Sequence, residues 1–125
     1  MSKQRALMIT SFCLLIMISL SGCANLKAIK ALEIANIDFS SVRDGLYEGY
    51  QDNWMVTAKV NVSASGGRVK NIQIIEHNHG PNHGADAITA KVVDKQSLQV
   101  DAISGASYSS KVVLKAIELA LRKGQ

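Results

Sequence analysis

Residues 101–110 read Asp101-Ala102-Ile103-Ser104-Gly105-Ala106-Ser107-Tyr108-Ser109-Ser110. A short apolar run containing Leu98 and Val100 precedes them, and a strongly amphipathic pattern follows. Apolar run, glycine turn and helix start in that order predict that Ser107 stands where a turn feeds a helix N-terminus. Backbone N–H groups and the positive end of the helix dipole converge at such a place, which suits a phosphate. The same residues also spell an ordinary strand, turn and serine-rich cap, which domains use for structure alone. Spacing by itself does not separate the two readings.

Downstream, Val112, Val113, Ala116, Ile117, Ala120 and Leu121 fall on one helical face. Lys111, Lys115, Glu118 and Arg122 fall on the other, which predicts an exposed charged side. This helix is expected over 109–123, capped by Ser109 or Ser110. Arg122 and Lys123 suit its negative end, and Gly124 its stop. Upstream, Ala85, Ile88, Val92 and Val93 predict a short helix within 84–96, with Lys91 and Lys95 outward. A strand over 96–102 is expected to carry the chain from that helix to the decisive stretch.

Further back, Val56, Ala58, Val60 and Val62 alternate with Thr57, Lys59, Asn61 and Ser63. That alternation is a half-buried antiparallel strand. Ser65-Gly66-Gly67 turns the chain, and Val69, Ile72 and Ile74 mark a second strand to Glu76, so the two read as a hairpin. Asp44-Gly45 is a turn signal ahead of Leu46–Tyr50. The expected fold is therefore α+β: one small domain, an antiparallel sheet with helices packed on one face.

Asp101-x-x-Ser104-Gly105-Ala106-Ser107 resembles the flavinylation signature, Asp-x-x-(Ser/Thr)-Gly-Ala-(Thr/Ser), of the FMN-binding domain family. That family includes the flavin subunits of sodium-pumping quinone reductases and Rnf-type complexes, and small extracytoplasmic lipoproteins. Asp44-Gly45-x-Tyr47-x-Gly49 and Gly67-x-Val69-x-x-Ile72 also resemble the opening half of that domain, so the likeness covers about residues 43–123. The resemblance implies FMN as cofactor, joined by a flavin transferase through its phosphate to Ser107. Here Ser stands where the family more often has Thr; the nucleophilic oxygen is kept and the methyl that restricts χ1 is lost. Asp101, Ser104, Gly105, Ala106, Tyr108, Ser109 and Ser110 complete the expected cofactor-binding stretch, with Tyr108 placed to lie against the ring.

His77-Asn78-His79-Gly80-Pro81-Asn82-His83-Gly84 is the second notable stretch. His77, His79 and His83 are candidate zinc or copper ligands. The resemblance gives them another role, since Glu76-His77-x-His79-Gly80 is similar to the loop that precedes the flavin motif in small FMN-binding lipoproteins. In that role the loop folds over the isoalloxazine edge; which histidine reaches the ring stays open.

At the chain start, Lys3 and Arg5 precede an apolar run from Ala6 to Leu20, and Leu20-Ser21-Gly22-Cys23 resembles a bacterial lipobox. The expected organisation is a signal peptide over 1–22, a lipidated N-terminus and tether or short helix over 23–40, and the FMN-binding domain over 41–125. Leu26, Ile29, Ile34 and Ile37 give that short helix its 3/4 spacing, either packed on the domain or serving as a tether. The formal charge of +4, from 14 basic and 10 acidic residues, falls to +2 once Lys3 and Arg5 leave, so nucleic acid is not implied. Of two cysteines, Cys13 leaves with the signal and Cys23 carries lipid, which leaves no pair for a disulfide.

These readings predict a lipid-anchored extracytoplasmic flavoprotein of the bacterial cell envelope. It passes electrons between redox proteins or quinone-linked complexes and is not a self-sufficient enzyme, since no acid–base pair or nucleophilic triad is visible. The alternatives are a non-covalent FMN-binding sensor or scavenger and, more distantly, a metal-binding lipoprotein.

Overall fold

A computed structural model of the chain describes residues 3–4, 32–80 and 84–125. The signal peptide apart from residues 3–4, Cys23, the first part of the expected helix over 24–37, and His83 lie outside the described residues. The compact unit runs from Leu32 to Gln125.

Three antiparallel strands, β1 (Gly45–Asn53), β2 (Val56–Ser65) and β3 (Arg68–Asn78), lie in the order β1-β2-β3. The second hairpin turns on Gly66 (φ 61°) and Gly67 (φ 73°), the two positive-φ positions that a tight twisted hairpin requires. Asp44 Oδ1 accepts the Gly66 N–H at 2.9 Å and ties that turn to the start of β1. The alternation on β2 holds, with Ala58, Val60, Val62 and Ala64 buried and facing Ile74, Ile72 and Val69 of β3 among their partners.

Two helices, α1 (Ile88–Lys95) and α2 (Ser107–Arg122), cover the apolar face of the sheet. α1 packs on β3, and α2 packs on β1 and β2. Val112, Val113, Ala116, Ile117, Ala120 and Leu121 are buried against the sheet, as their spacing predicts. This is a single small α+β domain.

α2 approaches β1 closely because Gly49 has no side chain. A Cβ there would overlap the Ala116 carbonyl and stand 2.8 Å from the Ala120 nitrogen. At the helix C-terminus, Gly124 also lies close to Tyr47, where a Cβ would stand 2.6 Å from the ring. α2 thus runs antiparallel to β1, with its C-terminal end beside the start of that strand.

Three expectations change. The strand over 96–102 does not form. Gln96 takes a left-handed conformation (φ 50°) at the end of α1. Its side-chain amide then bonds both the Val69 N–H and the Val69 carbonyl at 2.8 Å, occupying the β3 backbone that a further strand would need. Leu98 pins the irregular segment to the core.

Second, residues 32–38 are not helical. Ile37, Phe39 and Val42 are buried in the core, which draws this segment across the domain, and Asp38 caps the short 3-10 turn Phe39–Ser41 by accepting the Ser40 N–H at 3.0 Å.

Third, Glu118 does not face solvent. It is fully buried, and its carboxylate accepts from Lys115 Nζ at 3.0 Å, Arg122 Nε at 3.0 Å and the Ala35 N–H at 3.1 Å. Lys115 Nζ also donates to the Glu33 carbonyl at 3.2 Å, so segment 33–35 is strapped to α2 by the charges expected to be a solvated face. Burial pushes the Glu118 carboxyl up. The hydrogen bonds from Lys115, Ala35 and Arg122, with the Lys115 charge, outweigh burial and hold it below its ordinary value.

Candidate functional site

The decisive stretch folds as a turn that opens directly into α2. The Ala106 N–H donates to the Ile103 carbonyl at 2.9 Å, and Gly105, at φ 77°, takes the left-handed position of that turn. α2 begins at Ser107, two residues before the expected start, and Ala106 at its N-cap offers no side-chain acceptor. The first bond of the helical ladder runs from the Ser110 N–H to the Ala106 carbonyl at 2.9 Å. The N–H groups of Ser107 and Ser109 lie ahead of it, at the positive end of the helix dipole.

Neither serine expected as a cap has that role. Ser110 is fully buried; its Oγ donates to the Ala106 carbonyl at 2.7 Å and accepts the Ile103 N–H at 2.9 Å. It is an internal strut that locks the turn onto the first turn of the helix. Ser109 is also buried. The Ser110 hydroxyl satisfies the turn from inside the helix, and the cap position falls to the alanine.

A cavity of about 400 Å³ opens over this helix end, lined by Val56, Gly80, Gly105, Ala106, Ser107, Tyr108 and Ser109. The four serine hydroxyls of the stretch separate here. Ser109 and Ser110 are buried, and Ser104, although exposed on the turn, does not line the cavity. Ser107 is both exposed and part of the lining. Half-buried Tyr108 supplies the largest side chain of the wall. Asp101 stands outside the lining; it is exposed, and Lys91 Nζ reaches its carbonyl at 3.4 Å.

Among the described residues of the histidine loop, Gly80 lines the cavity and neither the His77 nor the His79 imidazole does. His77 is engaged at both ring nitrogens: Nε2 accepts the Ala85 N–H at 3.2 Å, so Nδ1 carries the proton and donates to the Thr57 carbonyl at 2.9 Å. His79 lies against it, ring centroids 4.6 Å apart, with Nδ1 bonded to the Gly80 carbonyl at 2.8 Å. Both ring nitrogens of His77 thus rest on backbone groups of the loop and of β2. No cluster of three metal-ligating side chains occurs among the described residues.

Val56 was not singled out by sequence, and Gly80 only as the end of the Glu76-His77-x-His79-Gly80 likeness. Val56 read only as a core-facing strand position; that it is the first residue after a hairpin turn was the one sign that its side chain could border open space.

The arrangement fits a ligand with a phosphate and a large flat ring. The uncapped helix end supplies donors for the phosphate, Gly105 and Gly80 leave room beside it, and the remaining wall is apolar. A volume of about 400 Å³ lies in the ordinary range for cofactor pockets.

Comparison with known proteins agrees. An uncharacterized protein of Treponema pallidum (strain Nichols) is 25% identical over 89 residues, which is 69% of this chain and 25% of that protein. The chain thus spans about a quarter of the relative's length. No solved structure matches. The family model for the FMN-binding domain matches residues 49–122, from the close-packing glycine of β1 to the end of α2. The chain belongs to the FMN-binding domain family, and FMN is its cofactor.

Proposed function

We propose that this protein is an extracytoplasmic, lipid-anchored electron carrier whose FMN is joined to Ser107 by a phosphoester. One observation carries the reading: of the four serine hydroxyls in the stretch, Ser107 alone is both exposed and in the cavity wall. Attachment requires a flavin transferase and a flavin phosphoanhydride donor. The Ser107 oxygen bonds to the flavin phosphorus, the displaced phosphate leaves with the bonding electron pair, and the hydroxyl proton passes to the transferase. Exposed Asp101, six residues before Ser107, suits recognition by that enzyme.

The redox chemistry belongs to the bound flavin; the chain holds and tunes it. The N–H groups of Ser107 and Ser109 neutralise phosphate charge, Tyr108 and Val56 offer apolar contact, and the His77 bonds hold the loop that brings Gly80 to the cavity. A covalent link suits a carrier outside the cytoplasm, because a dissociated cofactor would be lost to dilution while a tethered one keeps its effective concentration. The anchor would be Cys23, at the end of Leu20-Ser21-Gly22-Cys23, and two acyl chains there would hold the protein stably where one would not. Its partners would be membrane or envelope redox proteins, including quinone-linked complexes, and the chain would not act as an enzyme by itself.

Protein made with a flavin transferase and then denatured tests the reading. Retention of one FMN per chain by intact mass supports the covalent carrier. Complete release of the flavin on unfolding would leave the non-covalent sensor or scavenger instead. Lipid labelling that survives Cys23→Ala would overturn the anchor.

A further inference from the structure

The turn between β1 and β2 consists of Trp54 and Met55, and its placement has a cause in the packing of α2. Gly49 lies against α2 between Ala116 and Ala120. From there to Ser107 the helix climbs about 16 Å at about 1.5 Å per residue, roughly five strand residues at about 3.4 Å each. Five residues beyond Gly49 is Trp54. Val56, immediately after the turn, independently lines the cavity at the N-terminus of α2. Two observations therefore bring this turn to the rim of the flavin site.

Its side chains are unusual for such a place. Trp54 is 74% exposed and Met55 70%, the two most exposed large hydrophobic residues among those described. Trp54 also takes φ 63°, a left-handed conformation that two-residue hairpin turns normally give to Gly, Asn or Asp. Asp52 Oδ1 holds it there by accepting the Trp54 N–H at 2.8 Å. A bulky residue in a costly backbone conformation, spending its side chain on solvent, contributes nothing to the core. Strained residues held by a specific bond recur at ligand clamps. Among the described residues, the cavity lining offers a flat ring Tyr108 and Val56 as its sizeable neighbours.

We propose that Trp54 is a ring-covering residue: its indole lies over the isoalloxazine of FMN held at α2, with Met55 flanking it. An offset-stacked aromatic pair gives contact energy beyond area alone and shields one face of the ring from water. The proposal rests on FMN occupying the cavity above Ser107, and it adds the residue that closes the site from the β1–β2 side.

Trp54 is the chain's single tryptophan, which makes the test direct. FMN-loaded wild type, Trp54→Phe and Trp54→Ala are compared by intact mass, flavin emission and iodide quenching of that emission. Indole in contact with a flavin suppresses its fluorescence, so both variants should emit severalfold more than wild type. Iodide should reach the flavin readily in Trp54→Ala but not in Trp54→Phe, which keeps an aromatic cover. The exposed position lets both variants fold, which unchanged circular dichroism verifies. Full loading with unaltered emission and iodide access in Trp54→Ala overturns this proposal alone. Indole emission that responds to anionic vesicles and not to FMN also overturns it, by assigning the turn to lipid. A chain that takes up FMN in no form overturns the proposal together with the reading beneath it, and mass distinguishes that case.

Discussion

The two ends of α2 are built on opposite principles. Its C-terminal half is clamped: Ala116 and Ala120 press on Gly49, and Glu118 is buried under Lys115, Arg122 and the Ala35 N–H. Its N-terminal turn is left open, with an alanine where a capping side chain would stand, an exposed Ser107 and a cavity above it. A capping residue at position 106 would give the helix about 1 kcal/mol, and its absence leaves backbone donors to a ligand. Rigidity at one end lets the other stay open to a ligand without fraying. A fixed site on a helix needs both.

The largest effect should come from breaking the clamp. Gly49→Ala places a methyl inside the Ala116 carbonyl, and neither backbone can yield without moving α2 off the sheet. We expect a loss of about 3 kcal/mol or more, at the upper end of overpacking costs, read as a fall in the chemical-denaturation midpoint. A Gly49→Ala protein of wild-type stability would show that α2 is not held against β1 as described.

The Glu118 strap should matter less, because Lys115 and Arg122 keep partial access to water once released. Glu118→Gln should cost about 1–3 kcal/mol, the range for disrupting charge-assisted buried bonds with partly exposed partners. Its pH dependence sharpens the point. The Glu118 carboxyl is held below its ordinary value, so its contribution is complete above the unfolded-state value and is lost as pH falls through the folded one. The stability gap between wild type and Glu118→Gln should therefore close in acid. A gap that stays constant with pH would remove charge from the account.

At the open end, Ser110→Ala deletes the strut between Ile103 and Ala106 and leaves the Ile103 N–H without its acceptor. The cost should be about 1–2 kcal/mol in denaturant, with flavin loading reduced and not abolished. The smallest change should come from Asp101→Ala. Its exposed side chain bears little on folding, so the midpoint should hold within about 0.5 kcal/mol while transferase-dependent loading falls. Undiminished loading would exclude Asp101 from recognition.

How much of this could be read beforehand follows the same contrast. The alternation from Val56 to Val62, the Gly66-Gly67 turn and the apolar face of α2 are local patterns, and each appears where the sequence puts it. The misread features depend on distant partners. Glu118 reads as surface because its neighbours on the helix are charged; nothing local announces that residues 33–35 will cross it. The strand expected over 96–102 fails because the Gln96 side chain, 27 positions from Val69, takes the backbone it would have paired with. Serine is a common capping residue, and only the turn from Ile103 to Ala106, folded back on the helix start, makes Ser110 a strut. At the site, the motif named Ser107, whereas Val56 reaches the cavity through the packing of α2 on the sheet, which no short window contains.

The central claim is that the open end of α2 carries FMN on one particular oxygen. Tandem mass mapping of peptides from denatured protein, made with a flavin transferase, reads that oxygen directly. The account predicts flavin phosphate on Ser107 alone, none in Ser107→Ala, and restored attachment in Ser107→Thr. Flavin on Ser104, Ser109 or Ser110, or covalent flavin persisting in Ser107→Ala, would contradict it.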